Sequence, residues 1–282
     1  MHKIEFKNIT KEFPESISEM TAPQYRYFCF LEMNRQLGKI SMERLEVLFV
    51  YFVLDMVHTT NAPKVVENIT ALRELVAPYF TTQISKGKEY VILDYNFVTN
   101  PLTTIECNNT ILYGPLDALQ NCSYEEVFVH AQNALLDFAS DKDEDALDRL
   151  VAILYRPGEK GKRPKFKAED LQDHLPIVKQ LLPEVKFGIY LFFASCQKFI
   201  TSADELDIGG GVTVNIAELF KPDSSQGTEK GIGPVGIIYS LAESGVFGNA
   251  QETARQNVYD VLIRMVQLNQ QAKTAKKNAK RK

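Results

Sequence analysis

The segment 185–200, VKFGIYLFFASCQKFI, is apolar on nearly every face when it is read at the period of an α-helix. A helix of this kind is stable in a soluble protein only when other elements cover it on all sides. The run is too short to cross a bilayer, which takes about 20 apolar residues. We therefore predict a central core helix over 184–200, inside a mostly helical protein.

Start and stop signals place further helices before it. Thr21, just ahead of Ala22-Pro23, predicts an N-cap, and the helix that follows ends at Gly38. Ser41 caps a second helix, in which apolar residues occur on most faces and predict burial on most sides. The aromatic residues of the first helix favour a core position, with a partner-binding face as the alternative; they are Tyr25, Tyr27, Phe28 and Phe30.

The remaining helices follow the same signals. A third is predicted over about 64–77, and SYEE from Ser123 is a capping box that begins a fourth. ALDRLVAILY predicts a helix with an apolar core face that ends near Tyr155. Others are predicted over 168–182, 234–244 and 250–271, and the polar, Gly-rich stretch 221–233 is typical of a linker.

The pattern changes between residues 79 and 116. YFTTQISKGKEYVILDYNFV is two β-rich runs around a Gly-containing turn, and TTIECNNTILYG is a second pair around Asn108-Asn109. We predict a mainly α (α+β) fold with a helical bundle-like core and a small antiparallel β insertion at 79–116. The predicted organisation is a single helical domain over 1–271, followed by a basic, disordered tail over 272–282.

Charge is distributed unevenly along the chain. Six of the 32 Lys and Arg residues lie in the last fourteen positions, which contain no acid, so the body has 26 basic residues against 36 acidic ones. An acidic body with a basic tail does not favour binding of a nucleic acid along the whole surface. The four cysteines are far apart, which indicates reduced thiols, and the N-terminus is not a signal peptide. We therefore expect an intracellular protein that is not secreted.

No catalytic, cofactor or metal motif is present in the sequence. HExxH, GxSxG, GxxxxGK[ST] and a strand-linked GxGxxG are all absent. The four histidines lie on different predicted elements, and none has a second ligand at helical spacing. We predict no cofactor, no metal and no enzymatic activity; an enzyme whose Asp, Glu or Lys residues converge only in the fold is a less favoured alternative.

A basic loop follows the helix that ends at Tyr155. Pro157 ends the helix, and Arg156 is well placed to hold carbonyl groups or a carboxylate. The loop either contacts phosphate or an acidic partner, or is simply a solvated connection. The candidate contacts in this loop are Arg156, Lys160, Lys162, Arg163, Lys165 and Lys167. Those in the tail, which is otherwise a frayed end of the last helix, are Lys273, Lys276, Lys277, Lys280, Arg281 and Lys282.

Four phrases recur in one order in a known group of proteins. They are FPESISEMTAPQYRYF, ALDRLVAILYRP, FFASCQKFI and LAESGVFGNAQETARQNVYDVL. The set, over about 13–38 and 123–268, resembles proteins encoded in the structural modules of tailed phages and prophages, near the genes for tail proteins. The resemblance supplies no catalytic residues.

This resemblance implies a non-enzymatic role in phage tail assembly, chaperone-like or as a minor virion structural protein. Its partners would be other phage tail or virion proteins, or further copies of itself, with no membrane. Its location would be the host cytoplasm during assembly, and the virion if it is retained. The alternative is an intracellular nucleic-acid-binding accessory protein that uses the 156–167 loop and the Lys-rich tail.

Overall fold

The computed structural model describes residues 1–6, 9–57, 63–159, 161–221 and 233–279. Within these ranges the α-helices are α1 Ala22–Gln36, α2 Met42–Val53, α3 Pro63–Arg73, α4 Gln132–Asp141, α5 Glu144–Leu154, α6 Leu171–Val178, α7 Pro183–Ser202, α8 Pro234–Glu243, α9 Ala250–Ala254 and α10 Val258–Ala279. The strands are β1 His2–Phe6, β2 Ile9–Phe13, β3 Phe80–Ser85, β4 Lys88–Leu93, β5 Thr104–Cys107, β6 Thr110–Tyr113, β7 Arg156–Pro157, β8 Leu206–Asp207 and β9 Thr213–Val214. A π-helix, Glu125–Ala131, leads directly into α4.

The predicted mainly α, α+β class is confirmed, because α-helices make up most of the described secondary structure and the sheets are small and antiparallel. The predicted N-caps of the first two helices form through hydrogen bonds between residues three positions apart. Thr21 and Gln24 form a reciprocal capping box at the start of α1, and the Ser41 hydroxyl accepts a hydrogen bond from the Arg44 N–H at the start of α2. Gly38 takes a φ of +68° directly after α1.

The chain divides into two compact units. The first contains 1–102 and 181–192, and the second contains 103–180 and 193–282. The single domain predicted over 1–271 stays a prediction. The predicted central helix, α7, is buried on nearly all its faces, and it supplies its first part to one unit and its second part to the other. A helix shared in this way has no composition change at the boundary, so the sequence pattern does not mark the division.

Aromatic side chains make the core of the first unit. Phe49 packs edge-on against Phe13, Phe28 and Tyr79, with ring centroids 5.4 to 5.9 Å apart. The Tyr25 hydroxyl donates a hydrogen bond of 2.7 Å to the carbonyl of Gly188 in α7, where a larger residue would meet the Tyr25 ring. Tyr25 and Phe28 therefore take the core positions predicted for them.

The β strands lie where the insertion was predicted, but they form two separate sheets instead of one. β3 pairs with β4 in the first unit, and β5 pairs with β6 in the second. Asn108 and Asn109 both take positive φ in the β5–β6 turn, as the sequence predicted. The β5–β6 hairpin gains β7 as a third strand, which comes from the basic loop.

The C-terminal helix is longer than predicted. α10 continues to Ala279, so most of the segment predicted as a disordered tail is helical, and Lys280, Arg281 and Lys282 lie outside the described residues. From Gln270 onward every described residue of α10 is exposed. Such a helical end is consistent with the alternative considered above, a solvated continuation of the last helix. The predicted linker at 221–233 lies almost entirely outside the described part of the chain.

Candidate functional site

The basic loop begins as a strand, because Arg156 pairs with Tyr113 and Pro157 with Leu112. The loop then returns close to itself at Gly158, where an added Cβ would stand 2.4 Å from the carbonyl oxygen of Lys162 and 2.7 Å from the Tyr113 ring. Only glycine fits there without a shift of the backbone. The loop that looked solvated in the sequence is therefore held against β6.

The Arg156 side chain is buried, with 2% of its surface exposed. Its Nη1 donates to Glu126 Oε1 at 2.9 Å and also to the carbonyl of Ile153. Its Nε and Nη2 donate to the carbonyl of Pro164 at 3.2 and 2.9 Å. Arg156 thus ties the end of α5 to the π-helix and to the far side of the loop, through both a carboxylate and carbonyl groups.

Arg163 binds the same carboxylate as Arg156. Its Nη2 donates to Glu126 Oε1, and its Nη1 lies 3.5 Å from Glu126 Oε2. Its Nε and Nη2 donate to the carbonyl of Leu154 at 3.1 and 2.9 Å. The carbonyls of Ile153 and Leu154 are the negative end of the α5 dipole, which favours cations at this position.

The result is a buried cluster of two guanidinium groups and one carboxylate. Side-chain exposure is 2% for Arg156, 2% for Glu126 and 5% for Arg163. Burial lowers the pKa of Arg156 and Glu126 opposes that effect, but a guanidinium stays charged in either case. The cluster therefore has a net positive charge.

A thiol lies beside this cluster and remains neutral. Cys122 Sγ is 3.5 Å from Arg163 Nη1. Burial, followed by repulsion from Glu126, raises the pKa of Cys122 to about 12. The thiol therefore contributes no anion that would balance the second guanidinium.

A cavity of about 300 Å³ opens onto the cluster. Its floor includes Glu126, Arg156 and the buried ring of Phe166, over which the Arg156 guanidinium lies at 5.6 Å. Its rim includes the exposed side chains of Lys165, Lys167 and Arg255, with Asn121, Ser123 and Asn257 between them. One carboxylate and four cationic side chains line it, an arrangement that can hold an anion.

The structure separates the predicted contact residues into three sets. Arg156 and Arg163 are turned inward. Lys162, Lys165 and Lys167 are exposed, as are Lys276 and Lys277 on α10, and Lys273 forms an ion pair of 3.0 Å with Glu218. Lys160 lies outside the described residues, as do the last three residues of the tail.

Glu126 is the central residue that the sequence analysis missed. In SYEE it occupies the capping-box position, and its backbone N–H does donate to the Ser123 hydroxyl at 3.3 Å. Its carboxylate, however, is bound to the two arginines instead of returning to the cap. The available signal was an acid inside an apolar face, followed by Val127 and Phe128. The π-helix that contains it is a feature often found at functional sites.

No group of three or more His, Cys, Asp or Glu side chains among the described residues is arranged to hold a metal ion. The His130 ring packs at a tilt against Phe166 and lies 3.5 Å from Glu125. His174 is on α6, and His58 is outside the described ranges. Over the same residues, no helix combines the length and the apolar character needed to span a membrane.

A second surface lies in the first unit and is aromatic. The Tyr27 ring stacks on Phe52 with centroids 4.2 Å apart and lies 6.2 Å from Phe30 at an interplanar angle of 20°. Phe30 is 43% exposed and Phe52 is 42% exposed. These three residues are called the aromatic surface below. For Tyr27 and Phe30 the partner-binding alternative therefore remains open, and the predicted burial of α2 on most sides is wrong at Phe52.

The protein was also compared with known proteins. Neither protein-family models, nor curated protein sequences, nor solved structures gave a match.

Proposed function

We propose that this chain is a non-enzymatic assembly protein that acts through protein–protein contacts, in the assembly of a phage or prophage tail or as a minor virion structural protein. The observation that carries the proposal is the aromatic surface of Tyr27, Phe30 and Phe52. The phage setting rests on the resemblance of the four sequence phrases.

Exposed stacked rings are unfavourable in water unless another surface covers them. Burying an aromatic side chain fully contributes about 1.5–3 kcal/mol, and Phe30 and Phe52 each leave more than two fifths of their surface exposed. Aromatic residues are enriched at the centres of protein interfaces. The rings also stand on two helices, α1 and α2, so they are held in place before a partner arrives.

The spacing along α1 indicates the shape of the partner. Tyr27, Phe30 and Leu37, the last of which is the C-cap residue directly after α1, lie at i, i+3 and i+10, a spacing that continues one helical face over about 15 Å. Leu37 is 60% exposed. An amphipathic helix of another protein, presenting apolar residues every three or four positions, matches such a face. We therefore propose an amphipathic helix of a tail or virion protein as the partner.

The test is a pull-down of the tagged full chain from the native host at moderate salt, with partners identified by mass spectrometry. The test variant is F30S together with F52S. The matched control is Y90S together with I84S, which alters two exposed apolar residues of the β3–β4 hairpin in the same unit. We expect a stoichiometric tail or virion protein with the wild type and the control, and its loss with the test variant.

Other outcomes have defined meanings. Recovery of a second copy of this chain alone would replace the proposed partner with self-association. A partner that is retained equally by the test variant would contradict a role for the aromatic surface. If the chain stays monomeric, binds no hydrophobic dye and captures no protein, the assembly function is wrong.

The second candidate is a nucleic-acid-binding accessory protein. It is favoured by the exposed Lys276 and Lys277 at the end of α10 and by the exposed lysines of the loop. It is weakened because Arg156 and Arg163 already bind Glu126 and main-chain carbonyls. Binding to phosphates of this kind would fall steeply with salt.

A further inference from the structure

We propose that the cavity above the Glu126–Arg156–Arg163 cluster binds the phosphate group of a small phosphorylated molecule. The cavity lies in the second unit, and the inference does not depend on the assembly function.

The cluster to which the cavity floor belongs has one positive charge in excess, because Arg163 shares Glu126 with Arg156 although it does not itself line the cavity. Two guanidinium groups share the Glu126 carboxylate, and it is the only carboxylate within ion-pair distance of either one among the described residues. Main-chain carbonyls satisfy their hydrogen bonds, but carbonyl groups are dipoles and supply only part of a charge. A charge removed from water is stabilised by a counter-ion. An anion in the adjoining cavity would supply it.

The rim adds donors that the fold does not use. No ion pair is found for Lys165, Lys167 or Arg255 in the described ranges, and all three are exposed at the mouth of the cavity. Ser123 already accepts a hydrogen bond from the Glu126 N–H, which leaves its hydroxyl proton free to turn toward a ligand. Three cations and one hydroxyl around a single space form a suitable set for a phosphate dianion.

The concentration of cations at this cavity contrasts with the charge of the chain as a whole. The whole chain is acidic, with 36 Asp and Glu residues against 32 Lys and Arg residues. Near the rim, Glu125 lies on the π-helix 3.5 Å from His130, and its pKa is lowered by the His130 hydrogen bond and by the charge of Arg255, so it offsets only part of the rim's positive charge. An anion would be drawn to this cavity more strongly than to an arbitrary part of the surface.

The volume of the cavity suits a small ligand. About 300 Å³ is at the lower end of the range for small-molecule pockets. The space admits a phosphate with a modest organic body, and the buried Phe166 ring supplies an apolar wall against which that body can pack. A nucleic-acid strand would instead require an open groove that follows its backbone.

The test is isothermal titration of the full chain with three probes: inorganic phosphate, adenosine monophosphate and a short single-stranded oligonucleotide. The test variant is K165Q with R255Q, two exposed substitutions on the cavity rim. The matched control is K39Q with K162Q, which removes the same charge from two exposed positions, one of them in the same loop, that do not line the cavity. Circular dichroism checks that both variants are folded.

We expect phosphate and the monophosphate to bind the wild type and the control alike. Binding to K165Q/R255Q should be at least about tenfold weaker, since two charge-assisted hydrogen bonds are lost. Absence of binding by either small probe at millimolar concentration would overturn the proposal. So would equal weakening in test and control variants, or preferential binding of the oligonucleotide, because each would indicate a diffuse basic surface instead of a cavity.

Discussion

Glu126 accepts a hydrogen bond from Arg156 at 2.9 Å across thirty positions of sequence, and both side chains are 2% exposed. Arg163 forms an ion pair with the same carboxylate oxygen. This arrangement joins the π-helix, the end of α5 and the basic loop at one point. Its strength is the first property to test.

Removal of the carboxylate should destabilise the protein strongly. E126A leaves two guanidinium groups buried without a counter-ion, and breaking a buried pair in this way costs about 3–5 kcal/mol. The control is D137A, which breaks an exposed pair of 3.3 Å with Arg149 and should cost less than about 1 kcal/mol. Chemical denaturation followed by circular dichroism measures both. Equal losses for the two variants would show that the buried cluster has no special role in stability.

The close approach at Gly158 gives a second prediction. G158A places a Cβ 2.4 Å from the Lys162 carbonyl oxygen, and the resulting backbone shift should cost about 1–3 kcal/mol. K162A retains that carbonyl and alters only an exposed side chain, so it should change the free energy of unfolding by no more than about 0.5 kcal/mol. Thermal or urea unfolding of the two variants gives the comparison. If G158A is as stable as K162A, the loop does not pack against itself as described.

The buried thiols predict a loss of stability in alkaline solution. Burial raises the pKa of Cys29, Cys122 and Cys196 above the ordinary value of 9.0. In the unfolded chain these thiols ionise near that value, whereas in the folded chain they remain protonated. The unfolded state then binds fewer protons, so the free energy of unfolding falls as the pH rises from about 8 to about 10.

Urea denaturation at several pH values measures this slope. The C122A variant should have a shallower slope, by at most about 1.4 kcal/mol per pH unit for the one proton removed. The window ends near pH 10 because burial also raises the pKa of Tyr79, Tyr124 and Tyr259, and these residues add to the slope above it. A slope that is unchanged in C122A would mean that this thiol ionises equally in both states.

The end of α10 separates the two candidate functions. A chain that stops after Ala272 loses the surface pair between Lys273 and Glu218 and the exposed Lys276 and Lys277, and each described residue that it loses is exposed. Its free energy of unfolding should change by no more than about 1 kcal/mol. Under the assembly proposal, capture of the protein partner is unaffected. Salt-sensitive binding of nucleic acid that disappears on this truncation would favour the second candidate.

Signals that act within a few residues were sufficient for much of the fold. The caps at Thr21 and Ser41, the Asn108-Asn109 turn and the burial of α7 all follow from neighbouring residues in the chain. The apolar pattern of α2, by contrast, did not show which side lacks a covering element, and the exposure of Phe52 is visible only in the fold. Periodicity reports that a face is apolar, not that something packs on it.

The site depended on contacts that are distant in sequence. Glu126 fitted a local capping pattern, and its actual partners are thirty and thirty-seven residues away. Arg156 was expected to hold carbonyl groups or a carboxylate, and it holds both. The strand β7 was not predicted because it consists of only two residues, Arg156 and Pro157, and two residues are too few to show an alternating apolar pattern.

The shared helix α7 has a consequence for the origin and dissection of this protein. Since the first unit takes residues 181–192 from the far part of the chain, a gene fragment that encodes only 1–102 would leave Tyr25 without its acceptor at Gly188. The two units are therefore not encoded by two consecutive stretches of the gene. For this reason a single recombination junction cannot exchange the first unit intact. Replacement of the first unit alone would therefore need junctions after residue 102, before residue 181 and after residue 192.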